Sequence, residues 1–100
     1  MLDAAPYSAH PPSVPGRRVL AAMGPKLLAL AAERADGAHP YLTTPEHTAF
    51  ARSVLGPDAI LAPDQKVVLE RDASDARRIA RMHLDGYLGQ PNYRRSLLRQ

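Results

Sequence analysis

The chain has 100 residues, no cysteine and a formal net charge of +3, which fits one small domain or part of a larger one. The lack of cysteine excludes disulfides and thiolate metal sites. No apolar run approaches the roughly 18 residues that cross a membrane, and the N-terminus lacks a signal-peptide pattern. The arginines of the last third are interrupted by Asp72, Asp75 and Asp85, which favours a solvated helix face over a nucleic-acid stripe. We therefore expect a cytoplasmic protein with neither a nucleic-acid nor a membrane partner.

Residues 1–16 are predicted to form a proline-rich connector. A last helical turn is expected at Met1–Ala5, and Pro6, Pro11, Pro12 and Pro15 then prevent regular structure as far as Gly16. Residues 17–100 are predicted to form the folded domain.

A strand, a tight turn and a helix open this domain. Val19–Met23 is an apolar run of the length of a buried strand. Gly24 supplies a permissive turn backbone, and Pro25 suits the first helical position. Helical spacing continues to Gly37, which is expected to be a left-handed cap. A second short apolar run, Ala38–Leu42, completes a βαβ unit and predicts a parallel sheet.

The carboxyl ends of these two strands are the expected ligand edge of the sheet. Gly24 would let a phosphate approach, and the helix that follows offers free N–H groups, although glycine and proline mark turns in any protein. His39 could act as a general acid or base, but a loop histidine bonded to backbone is the favoured interpretation. His39 and His47 lack the spacing and the acidic partner of a helical metal site.

The middle of the chain predicts a second helix and a third strand. Thr44 and Pro45 begin the helix and Gly56 ends it. Its inward face is predicted to consist of Ala49, Phe50, Ser53 and Val54. Ala59–Pro63 is predicted to be a connector, and Lys66–Glu70 is predicted to be a strand covered on both faces.

A long amphipathic helix and a short one follow. Asp72 or Ser74 caps the first, Gly89 ends it, and Pro91 opens the second. The inner side of the long helix is predicted to carry Ala76, Ile79, Ala80, His83, Leu84 and Tyr87. His83 is expected to be a core histidine, and Tyr87 and Tyr93 core or interface residues. Three strands with two unpaired edges are typical of part of a larger α/β sheet or barrel.

The chain resembles the luciferase-like monooxygenase class over essentially its whole length. The closest likeness is to its oxidoreductases that use the deazaflavin coenzyme F-420. The segments that carry the resemblance are, in order, Val19–Lys26, Ala31–Tyr41, Thr44–Thr48, Leu61–Leu69, Tyr87–Leu88, Pro91–Tyr93 and Leu97–Arg99.

The resemblance implies an α/β fold that is part of a (β/α)₈ TIM barrel. Such barrels need about 250 residues, so this chain would supply about three parallel units, roughly strands five to seven of the family, and C-terminal helices. Met23, Gly24 and Pro25 match the turn that meets the phosphate-bearing tail of the cofactor. His39, Pro40 and Tyr41 match a strand end on the substrate side. Catalytic residues would lie outside this chain.

The resemblance also implies hydride transfer between coenzyme F-420 and a small organic substrate. FMN is the alternative cofactor, since the wider class uses it. A second hypothesis from another class is a non-catalytic, truncated α/β remnant that survives by self-association.

Overall fold

The structure is a computed structural model that describes residue 6, residues 8–10 and residues 12–100. The expected helical turn at Met1–Ala5 lies outside the described residues, and the described part of residues 6–16 contains neither helix nor strand. The elements in chain order are β1 (Val19–Ala21), α1 (Pro25–Arg34), β2 (Gly37–His39), α2 (Pro45–Leu55), β3 (Ile60–Leu61), α3 (Ala73–Leu88) and α4 (Pro91–Leu97).

The three strands form one parallel sheet in the order β1-β2-β3. Val19 pairs with Gly37 and Ala21 with His39, and Ala38 pairs with Leu61 on the other side. Sequential parallel strands joined by right-handed crossovers place α1 and α2 on the same face of the sheet, and these two helices pack against each other. The predicted α/β class and parallel sheet are confirmed, and the arrangement is compatible with a fragment of a larger β/α fold.

The prediction of a third strand at Lys66–Glu70 is wrong. That segment contains no strand, and its Val67 and Leu69 are 76% and 99% exposed. The strand lies instead in the predicted connector, where the N–H of Ile60 donates to the carbonyl of Asp36 at 2.8 Å. The chain reaches the free edge of β2 directly after α2, so this earlier segment takes the hydrogen bonds of that edge.

The prediction that Gly37 is a left-handed helix cap is also wrong, because Gly37 begins β2 and pairs with Ile60. A Cβ at Gly37 would collide with the backbone of Ile60. Among the described glycines only Gly56 has a positive φ, at 84°. It ends α2 as predicted, and its N–H donates to the carbonyl of Arg52 at 3.0 Å.

The core lies between α1, α2 and the sheet. Its buried members are Ala22, Leu28, Ala31, Ala38, Ala51 and Leu55. The predicted cap of α2 is confirmed, since Thr44 Oγ1 accepts a hydrogen bond from the N–H of His47 at 3.2 Å. The predicted inward face of α2 is correct only at Val54, which packs against the core. His47, Ala51 and Leu55 are the buried residues of this helix, whereas Phe50 is 43% exposed. The i, i+4 row that meets α1 therefore begins at His47.

Helix α3 is only partly covered, since none of its residues is fully buried. Of the two predicted caps, Asp72 and Ser74, Asp72 is the one that caps this helix. Its carboxylate accepts hydrogen bonds from the N–H groups of Ser74 and Asp75 at 2.9 and 3.0 Å. The prediction of a core role for His83 is wrong, because that residue is exposed. Tyr87 is half-buried, and α3 packs against α4.

Candidate functional site

A cleft of about 640 Å³ lies at the carboxyl ends of β1 and β2. The start of α1, the first turns of α2, and α4 with the residues after it form the rest of its wall. Five of the six predicted site residues line this cleft: Met23, Gly24, Pro25, His39 and Tyr41. Pro40, the sixth, is fully buried and does not line the cleft. The fold thus brings the predicted phosphate turn and the predicted substrate-side loop together.

The turn at the start of α1 leaves open space above its backbone. Gly24 precedes α1, with φ −94° and ψ 155°, and no side chain caps this helix end. Its carbonyl accepts the N–H groups of Leu27 and Leu28 at 3.1 and 3.0 Å. The φ and ψ of Gly24 are those of extended backbone, which any residue can adopt, so the turn does not need glycine for its conformation. Among the described residues, a Cβ on Gly24 would meet only Arg99 Nη1, at 4.0 Å.

His47 links the turn to α2. Its Nε2 lies 2.7 Å from the carbonyl oxygen of Met23, and because a carbonyl only accepts, Nε2 carries the proton. Nδ1 of the same ring is buried and has no hydrogen-bond partner within the part of the chain that the structure describes. The Thr44 cap orients the first turn of α2 and so places this ring under Met23.

His39 is also bonded to a backbone carbonyl, but through its other ring nitrogen. Its Nδ1 donates a hydrogen bond to the carbonyl of Ala62, just beyond β3. The favoured interpretation of His39 as a histidine bonded to backbone is therefore correct for one of its nitrogens. The side chain remains exposed along the cleft.

Tyr41 joins the cleft to a cluster of rings from α3 and α4. Its hydroxyl oxygen lies 2.7 Å from that of Tyr87, and the Tyr41 and Tyr93 ring centroids are 6.0 Å apart. The Lys66 ammonium lies 4.7 Å from the centroid of the Tyr41 ring and 3.1 Å from a carboxylate oxygen of Asp64. The contacts of Tyr87 and Tyr93 with Tyr41 agree in part with the core or interface roles that the sequence predicts for them.

Hydrogen bonding sets the order in which these tyrosines ionise. The hydrogen bond from Tyr87 lowers the pKa of Tyr41, and the nearby Lys66 ammonium lowers it further. The same Tyr41–Tyr87 bond raises the pKa of Tyr87. The opposite signs follow from one shared bond in which Tyr87 donates to the Tyr41 phenolate, so Tyr41 loses its proton first.

The C-terminal wall of the cleft was missed by sequence reasoning. Arg95, Ser96, Arg99 and Gln100 all line the cleft, and the two arginines are exposed, as a solvated face predicts. Gln100 Oε1 accepts a hydrogen bond from the N–H of Thr44 at 2.7 Å and so ties the chain end to the start of α2. No local pattern in the sequence indicates this long-range contact, and the neighbouring Arg99 has its Nη1 4.0 Å from the position of a Cβ on Gly24.

In residues 6, 8–10 and 12–100, no group of three or more histidine or acidic side chains could hold a metal ion. No helix in that part of the chain has the length and apolar character needed to cross a bilayer.

Comparison of the chain with protein-family models, with curated proteins and with solved structures found no match.

Proposed function

We propose that this chain is part of a luciferase-like oxidoreductase and that its cleft binds the phosphate-bearing tail of the deazaflavin coenzyme F-420. One observation carries the proposal: the turn Met23, Gly24, Pro25 and the loop residues His39 and Tyr41 line a single cleft at the carboxyl edge of a parallel sheet. This edge is where ligands of such sheets bind.

The chemistry of the cleft fits an anionic group. The N-terminus of a helix favours negative charge because its first N–H groups lack partners within the helix and its dipole is positive there. Arg99 brings a guanidinium to the same place, 4.0 Å from the position of a Cβ on Gly24, and Arg95 lines the same wall. Guanidinium groups bind phosphate through paired, charge-assisted hydrogen bonds. The open space above Gly24 provides the approach for such a group.

The division of roles follows from this placement. Gly24 and Arg99 would hold the tail of the cofactor, and His39 and Tyr41 would face an organic substrate. When bound, the deazaflavin supplies the hydride chemistry, and the protein contributes position and electrostatics. FMN, which also carries a phosphate, is the alternative cofactor, and the same contacts would hold it.

An amide chemical-shift titration of the isotope-labelled chain with coenzyme F-420 tests the proposal. Because the reactive-ring pocket would need further strands, we expect binding weaker than micromolar, with the largest shifts at Gly24, Lys26 and Arg99. Arg99→Met should weaken binding further, whereas the matched change Arg81→Met, on α3 outside the cleft, should not. Shifts confined to other surfaces, or equal affinity in both variants, would refute the assignment of the cleft. A parallel titration with FMN compares the two cofactors.

A second candidate function is the non-catalytic α/β remnant that self-associates. The observation that favours it is the exposure of Val67 and Leu69, at 76% and 99%, on an irregular segment outside the sheet. Absence of binding by both cofactors, together with association of the purified chain, would favour this alternative.

A further inference from the structure

Aromatic side chains are concentrated in the cleft. The chain has five aromatic residues, four tyrosines and one phenylalanine, and three of them, Tyr41, Phe50 and Tyr93, line the cleft. These three come from different parts of the fold: Tyr41 follows β2, Phe50 belongs to α2 and Tyr93 belongs to α4. Phe50 is exposed, so its ring is apolar surface that is available to a ligand in the cleft.

Tyr41 and Tyr93 form an aromatic corner at one side of the cleft. Their ring centroids are 6.0 Å apart and their planes meet at 62°. Tyr87, which does not line the cleft, packs against both rings, with centroid distances of 5.5 Å to Tyr41 and 5.0 Å to Tyr93. These contacts hold the aromatic corner in one orientation. Since aromatic rings prefer offset or edge-to-face contacts, such a corner suits a further planar ring.

The permanent charges of the cleft are positive. Among the described residues that line it, none is acidic, and two, Arg95 and Arg99, are arginines. Arg99 lies beside Gly24 and so belongs to the proposed phosphate site. The Nε of Arg95 donates to the carbonyl of Pro91 at 3.2 Å, and its two terminal nitrogens remain for a ligand. A guanidinium fork matches the two oxygens of a carboxylate.

We propose that the cleft binds a planar aromatic carboxylate, whose ring packs against the aromatic corner and Phe50 and whose carboxylate binds Arg95. That this ligand is the substrate rests on the proposed function. Tyr93 and Arg95 are two residues apart on α4, and side chains at that spacing do not face each other on a helix. Because both nevertheless line the cleft, they flank the wall that α4 contributes. This arrangement suits a ligand whose ring and anionic group are at opposite ends.

Three small probes test the two halves of this ligand, each titrated without cofactor into the isotope-labelled chain. Benzoate has the ring and the charge, cyclohexanecarboxylate keeps the charge without the planar ring, and benzamide keeps the ring without the charge. We expect benzoate to bind most tightly and to shift the signals of Phe50, Tyr93 and Arg95. Equal affinity for benzoate and either other probe would overturn the proposal. Benzoate shifts confined to Gly24 and Arg99 would also overturn it, because the carboxylate would then simply occupy the phosphate turn.

Variants of α4 and α2 test the two contacts separately. Arg95→Met should weaken benzoate binding by about tenfold, the order expected for the loss of a charge-assisted hydrogen bond. The matched change Arg94→Met, at an exposed neighbour on α4 that does not line the cleft, should leave the affinity unchanged. Phe50→Leu keeps an apolar side chain and should reduce the preference for benzoate over cyclohexanecarboxylate.

Melting each variant without probe separates folding from binding. An Arg95→Met chain that keeps both its melting temperature and its full affinity for benzoate would overturn the proposal. Because none of these measurements contains coenzyme F-420, a failed F-420 titration counts against the proposed function alone.

Discussion

Gly37 of β2 lies so close to the backbone of Ile60 in β3 that a Cβ on Gly37 would overlap the carbonyl group of Ile60. The two residues are paired in the parallel register, and the N–H of Ile60 donates to the carbonyl of the residue before Gly37 at 2.8 Å. A glycine is therefore required here for close approach of two strands. Its φ does not lie in the left-handed region.

Gly37→Ala should therefore separate β2 from β3. Because the clashing atoms belong to the backbone, one of the two strands must move to relieve the overlap. We expect the free energy of unfolding to fall by at least roughly 1–3 kcal/mol, the cost that is typical of overpacking. The matched control is Gly86→Ala, inside α3, where a Cβ meets nothing within 4 Å. That change should stabilise the helix by about 0.5–1 kcal/mol. Thermal unfolding measures both, and an unchanged melting temperature for Gly37→Ala would contradict the strand geometry.

The sequence predicted most of the helix ends and the parallel pairing of β1 with β2, but it misplaced the third strand and the role of Gly37. The caps at Thr44 and Asp72 and the stop at Gly56 were predicted correctly because each depends on residues within a few positions. The third strand was misplaced because Val67–Leu69 has the stronger apolar pattern, whereas pairing depends on which segment reaches the edge of β2 first.

The same limit applies to the candidate site. Gly24 and His39 were identified from their positions after strands, which is local information. Arg99 was missed because its place beside Gly24 depends on the return of α4 across the cleft and on the contact of Gln100 with Thr44.

The cap of α3 predicts a pH dependence. The Ser74 hydroxyl, then the N–H groups of Asp75 and Ser74, lower the pKa of Asp72 below its ordinary 3.8. A lowered folded pKa means that this stabilisation is present above the unfolded pKa and is lost as pH falls through the folded value. Wild type should therefore melt at a higher temperature than Asp72→Ala above pH 3.8, and the difference should shrink as pH falls further.

Ser74→Ala is the informative companion variant for this pH dependence, because it removes the largest cause of the shift and keeps the carboxylate. The pH-dependent loss of stability should then be smaller and should be complete at a higher pH than in wild type, because the folded pKa of Asp72 moves toward its unfolded value. Circular dichroism melts across the acidic range provide the measurement. Identical acid profiles for wild type and Ser74→Ala would show that the hydroxyl bond does not act on Asp72.

The exposed segment that carries Val67 and Leu69 predicts self-association. A chain of this size buries a limited fraction of its surface, and contiguous exposed apolar side chains promote association. Replacing both Val67 and Leu69 by lysine should reduce association in sedimentation velocity. Met82→Lys, which changes another exposed apolar residue, 67% exposed on α3, is the control and should have little effect. A wild-type chain that sediments as a monodisperse monomer and unfolds in one sharp transition would contradict this prediction.

The turn before α1 gives the most direct test of the cleft. Gly24→Val should keep the melting temperature, because φ −94° and ψ 155° are extended values that a β-branched residue adopts readily, and the nearest atom to the new Cβ is Arg99 Nη1 at 4.0 Å. The valine would instead occupy the space through which a phosphate reaches the backbone. Losing one or two charge-assisted hydrogen bonds of roughly 1.5–3 kcal/mol each would weaken cofactor binding by about one to several powers of ten.

Lys26→Ala is the matched change for Gly24→Val, since it alters a neighbouring exposed side chain of α1 and leaves the backbone of the turn open. We expect a smaller loss of affinity than for Gly24→Val. Melting each variant without ligand, then titrating it with coenzyme F-420, separates stability from binding. If Gly24→Val keeps both its melting temperature and its full affinity, the phosphate does not bind at this turn. The search for the ligand contacts would then move to the other side of the cleft, at His39 and Tyr41.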